Sequence, residues 1–80
     1  MGNWENYKNL GGNSKVEKFL IDSQSITIKF KTNKFLYLYN SIKPGIKHIE
    51  EMIKFAKLGS GLGGYITRDV KDEYAEKWME

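Results

Sequence analysis

The only histidine, His48, stands three residues before Glu51, a spacing that places both side chains on one helix face. Two such ligands do not make a zinc site, and there is no cysteine or second histidine to complete one. No metal and no other cofactor is expected. The acids Asp69, Asp72, Glu73 and Glu76 are interleaved with Arg68, Lys71 and Lys77. This is the pattern of a solvated face, whereas acid–base work needs apposed carboxylates in a shielded pocket. Nothing assembles a nucleophile, a base and an orienting acid. No catalytic residue is assigned, and an enzyme is not expected.

Two stretches carry binding chemistry instead. "KFKTNKFLYLYN" (29–40) interleaves lysines with aromatic rings on alternate positions. If they share a sheet face, Lys29, Lys31 and Lys34 can meet phosphates while Phe35, Tyr37 and Tyr39 stack unpaired bases. The same rings could equally form a second small core under Trp4, Tyr7 or Trp78, or the contact face of a homodimer. "GSGLGG" (59–64) formally satisfies G-x-G-x-x-G, but a helix precedes it where the dinucleotide fingerprint needs a strand. Its plain reading is a helix C-cap and a tight interhelical turn. Its functional reading is an anion site in which Ser60, Gly61, Gly63, Gly64, Thr67 and Arg68 surround a small phosphorylated or nucleotide-like ligand.

The elements that must position these residues follow from periodicity. "KVEKFLID" (15–22), "SITIKFKT" (25–32) and "KFLYLYN" (34–40) alternate as strands. A two-residue turn between the last two would put Phe35, Tyr37 and Tyr39 on the isoleucine face and leave Leu36 and Leu38 among lysines. A three-residue loop, Thr32-Asn33-Lys34, gathers Ile26, Ile28, Phe30, Leu36 and Leu38 on one face. It leaves the tyrosines beside the lysines, and Asn33 tolerates the left-handed geometry such loops want. One slip flips every side chain, and the cleaner partition favours the longer loop. Ile42, Ile46, Ile49, Ile53 and Ala56 recur at helical spacing, with Ser41 as a cap, Pro44 in the first turn and Gly59 at the end. Ile66, Val70, Tyr74 and Trp78 recur every four residues and predict a second helix over 65–80. Trp4, Tyr7 and Leu10, three apart, suggest a short helical turn ended by Gly11-Gly12. The expected fold is α+β: a three-stranded antiparallel meander followed by two helices on one face (β-β-β-α-α). Residues 1–13 read as an arm or flap, and residues 14–80 as a single domain.

The pattern S-x-V-x-x-F-x-I-D, then S-I-T-I-K-F, then Y-x-Y at Tyr37 and Tyr39, then a helix leading to "GSGLGGYITRDV", resembles the KTSC domain. That family is named for its occurrence at the C-terminus of some lysyl-tRNA synthetases, and it also occurs as free-standing small bacterial proteins. The resemblance spans roughly Ser14 to Trp78. The chain departs from it in one place, having "TNK" where the family commonly has a two-residue Asn-Gly turn. The resemblance implies no established activity. RNA binding has been proposed for the family on context.

The chain has 80 residues and a net charge of +3. Residues 1–40 carry six lysines against three acids, whereas residues 65–80 carry three basic groups against five acidic ones. An uneven basic excess permits nucleic-acid contact without requiring it. Apolar runs are far shorter than the roughly 20 residues of a membrane helix. "MGNWEN" begins like a myristoylation site, but Asn6 stands where Ser or Thr is wanted. The absence of cysteine fits a cytoplasmic protein. The leading expectation is a non-enzymatic module that contacts RNA or other single-stranded nucleic acid through an aromatic-lysine sheet face. The alternatives are the phosphorylated ligand at the glycine turn and a self-associating protein-interaction module.

Overall fold

Alternating apolar residues at 16–40 build a β-meander, and two segments from the ends of the chain extend it. The computed structural model describes residues 3–12, 14–32, 34–71 and 73–79. Strands β1 (Trp4–Asn6), β2 (Val16–Asp22), β3 (Ser25–Phe30), β4 (Phe35–Asn40) and β5 (Glu76–Met79) form one antiparallel sheet in the order β1-β2-β3-β4-β5. Between β4 and β5 come α1 (Ile46–Leu58) and the short α2 (Leu62–Tyr65), which continues into a π-helical turn, Ile66–Val70. The class is α+β, with five strands where three were expected. No helix among the described residues is long and apolar enough to cross a membrane.

The β3–β4 register is that of the shorter turn. Ile26 pairs with Tyr39, Ile28 with Tyr37, Lys29 with Leu36 and Thr27 with Leu38. Tyr37 and Tyr39 therefore share the isoleucine face, and the expected face that joins them to Lys29 does not form. The premise that Leu36 and Leu38 would be stranded among lysines fails because the other face is not mainly basic. There Leu38 lies in one cross-strand row with Thr27, Leu20 and Trp4, and Leu36 lies in another with Trp78, Lys29 and Lys18. Apolar neighbours from β1 and β5 make either partition of the hairpin acceptable on that side. The bulky rings then go where the helices leave the most volume to fill. Asn33, assigned a role in the turn, lies outside the described residues, as do Asp72 and Glu80.

The core lies between the sheet and the helices. Phe19, Ile26, Ile28 and Tyr39 from the strands pack with Ile49, Met52 and Ala56 of α1 and with Leu62, Ile66 and Val70. Val16 and Phe19 both reach this core although they are three apart, because a bulge between Val16 and Lys18 shifts the register by one residue. Helix α1 ends as expected, on Gly59 in the left-handed conformation (φ 81°). Its start differs: Gly45 precedes it without a side-chain cap, Ser41 bonds Gln24, and Ile42 is 88 % exposed.

Both end segments overturn their helical readings. Trp4, Tyr7 and Leu10 do not form a turn of helix; Trp4 is in β1 and Tyr7 is buried just beyond it. The second helix stops at Val70, and residues beyond it hydrogen-bond to β4, with Ala75 N–H donating to the Leu38 carbonyl at 2.7 Å. A strand edge left bare would expose a row of unpaired backbone groups. The charged tail has too few apolar residues to seat a helix, but it can satisfy that row.

Tyr39 is 1 % exposed, whereas Leu38 is half-buried on the opposite face. Tyr39→Ala is expected to cost about 3–5 kcal/mol as a core truncation, and Leu38→Ala about 1 kcal/mol. Urea denaturation of the two variants checks this, and the opposite ranking would contradict the register.

Candidate ligand-binding cleft

The glycine-rich turn is held by the chain's beginning. Gly59 and Gly61 both take positive φ (81° and 90°), which lets α1 reverse sharply into α2. The Leu62 N–H donates to the buried Tyr7 hydroxyl at 3.1 Å, and Leu10 N–H donates to the Gly59 carbonyl at 2.8 Å. These two bonds, spanning 55 and 49 residues of sequence, tie the segment after β1 to the turn. Asn9 then organises the approach to β2. Its Oδ1 accepts from Ser14 N–H at 3.0 Å and its Nδ2 donates to the Ser14 carbonyl at 3.3 Å. Ser14 Oγ accepts in turn from Val16 N–H at 3.2 Å. Gly63 packs backbone-first on this serine: a Cβ there would lie 2.7 Å from Ser14 Oγ.

These contacts leave a cavity of about 540 Å³, within the 300–1,000 Å³ usual for small-molecule sites. Tyr7 and Phe30 supply its apolar walls, and Asn9, Ser14, Lys15, Ser60 and Thr67 its polar ones. Gly11, Gly61, Gly63 and Gly64 also line it. A second cavity of about 380 Å³ is lined by Thr32, Tyr37, Tyr39, Ile66, Lys71 and Tyr74, and again by Phe30 and Thr67. The two cavities share Phe30 and Thr67 in their linings, and together they are termed the cleft. Among the described residues, its charged lining residues are Lys15 and Lys71, both cationic.

The expected site residues separate accordingly. Ser60, Gly61, Gly63, Gly64 and Thr67 come together at the first cavity. Arg68 does not line it; its exposed guanidinium bonds Asp69 at 3.0 Å. Tyr37 and Tyr39 line the second cavity in an edge-to-face array, with Tyr37 5.4 Å from Phe30 and 5.2 Å from Tyr74, and Tyr39 6.4 Å from Tyr74. Phe35 lies under the Lys77 ammonium, 4.3 Å from its ring centroid. Lys31 and Lys34 are exposed beside the hairpin turn. Lys29 is 7 % exposed, with Nζ donating to the Phe30 carbonyl at 2.7 Å and lying 3.7 Å from Glu17. It is a structural lysine of the sheet. Tyr7, Asn9, Ser14, Lys15, Lys71 and Tyr74 are among the lining residues that sequence reasoning did not assign to a site, as are Gly11, Phe30, Thr32 and Ile66. No local motif joins Tyr7, Asn9, Ser14 and Lys15 to Lys71 and Tyr74, because they reach the cleft from opposite ends of the chain.

His48 lies outside the cleft. Its Nδ1 is 2.7 Å from the Tyr65 hydroxyl. Burial first, and then the Asp69 and Glu51 carboxylates, raise the Tyr65 phenol above its ordinary value. It stays protonated near neutrality and can donate to the Nδ1 of a neutral imidazole. No group of three or more His, Cys, Asp or Glu among the described residues is placed to hold a metal ion. In comparisons with known proteins, no family model, curated protein or solved structure matches the chain.

The two adjacent glycines of α2 are predicted to respond oppositely to alanine. A Cβ at Gly64 meets nothing within 4 Å, so Gly64→Ala should stabilise the fold by about 0.5–1 kcal/mol through helix propensity. Gly63→Ala should destabilise by about 1–3 kcal/mol, because Ser14 must move. Denaturation midpoints report both, and equal effects would contradict the described seat of α2.

Proposed function

We propose that this chain is a small non-enzymatic binding domain whose ligand is a small phosphorylated molecule held in the cleft at the glycine-rich turn. One observation carries the reading: the charged side chains among the described lining residues are lysines, Lys15 and Lys71. A partly enclosed, cation-lined cavity strengthens attraction for an anion, since screening by water is reduced there. Ser14 adds directional chemistry. Its Oγ accepts from Val16 N–H, leaving its own hydrogen to donate to a phosphate oxygen. The KTSC resemblance supplies no activity, so the reading rests on this geometry.

A second reading, single-stranded nucleic acid, moves to the other side of the sheet. Trp4 and Trp78, 40 % and 42 % exposed, stand on its outer strands, with Lys18 Nζ 5.0 Å above the Trp4 ring. Such exposed rings beside a lysine favour base stacking. Small phosphates and oligonucleotides separate the two readings.

Millimolar ribose 5-phosphate or inorganic phosphate is expected to raise the melting temperature by several degrees, because a ligand of the native state alone must stabilise it. Lys15→Ala should abolish the rise. Tryptophan fluorescence should not change, because both tryptophans lie on the opposite face of the sheet. No thermal shift with either phosphate would overturn the proposal. Quenching of both tryptophans by an oligonucleotide, in the absence of such a shift, would favour the second reading.

A further inference from the structure

The second cavity has features that a simple phosphate site does not need. Phe30, Tyr37, Tyr39 and Tyr74 form an edge-to-face array at its wall, and Phe30 also lines the first cavity. Flat aromatic walls of this kind accept a further planar ring, since successive rings attract one another through dispersion and their quadrupoles. The backbone at the cavity is also unusual. Residues 66–70 are π-helical, with Lys71 N–H donating to the Ile66 carbonyl at 2.6 Å. Lys71 itself, which lines the cavity, takes φ 48° and ψ −119°, a conformation that costs a lysine energy and a glycine almost none. π-Helical turns and strained non-glycine residues concentrate at functional sites. Here both converge on Lys71, which lines the same cavity as the tyrosines.

Resting on the phosphate reading of the first cavity, we infer that the tyrosine cleft receives the base of the same ligand, which is therefore a nucleotide, with Lys71 as a donor to the base edge. An ammonium offers three donors and no acceptor, so it selects a ring edge that presents acceptors. Guanine, with adjacent N7 and O6 acceptors, is the most favourable base for it. The phosphate lies toward Lys15, the base toward Lys71, and the ribose passes between Phe30 and Thr67, which line both cavities.

The test is calorimetric titration of the intact chain with GMP, ribose 5-phosphate and guanosine. Base stacking is worth roughly 1–3 kcal/mol, so GMP should bind about 5- to 150-fold more tightly than ribose 5-phosphate. Lys71→Gly should lower GMP affinity by a larger factor than ribose 5-phosphate affinity, removing much of that advantage. It should also raise the melting temperature, because glycine adopts this backbone without strain. That rise separates loss of a ligand contact from loss of the fold. Equal affinities for GMP and ribose 5-phosphate would overturn the inference and leave the phosphate site standing. Guanosine binding as tightly as GMP would instead overturn the phosphate reading and keep the cleft as a ring site. Failure of all three to bind would overturn both, and unchanged GMP affinity in Lys71→Gly would remove Lys71 from the site.

Discussion

The pairing offset between β3 and β4 decides on which side of the sheet each of their side chains lies. With Ile26 opposite Tyr39 and Ile28 opposite Tyr37, two large phenol rings stand on the side where α1, α2 and the π-helical turn are packed. A shift of one residue would exchange those rings for Leu36 and Leu38. The tyrosines are what the helical layer is spaced around. Tyr39 fills the centre, and Tyr37 reaches Phe30 on one side and Tyr74 on the other. The cleft exists because these rings line the core's edge without closing it.

The two ends of the chain complete the structure by different means. β1 and β5 cap the outer strands of the meander, so that three strands become five and fewer backbone groups are left unpaired. Past β1, Tyr7 and Asn9 bind the glycine turn and the start of β2, and so build one wall of the cleft. Before β5, Tyr74 closes the ring array. A site placed between segments so far apart in sequence is available only in the folded chain.

This arrangement explains what the sequence disclosed. Helix α1 was legible because Ile49, Met52 and Ala56 repeat at helical spacing and Gly59 can take the left-handed C-cap. The meander was legible from period-two alternation. The hairpin register was not, because choosing it required knowing what flanks Leu36 and Leu38. Those flanks come in part from Trp4 and Trp78, in segments whose spacing also fits a helix. Val70, Tyr74 and Trp78 are four apart, but the backbone turns at Lys71 and the last four described residues run as a strand. At the cleft the glycine turn was visible as a motif, with five of its six proposed residues at the cavity. The opposing wall was invisible, since nothing local to Tyr7, Asn9, Ser14 and Lys15 ties them to a glycine turn about 50 residues away.

The face assignment of the tyrosines is the claim on which the core, the aromatic cleft and the ligand readings all rest. Nuclear Overhauser contacts between side chains across β3 and β4 test it most directly. The structure predicts strong contacts from the Ile28 methyls to the Tyr37 ring and from Ile26 to Tyr39, both within the core. Strong contacts from Ile28 to Leu38, with Tyr37 instead beside Lys29, would contradict it.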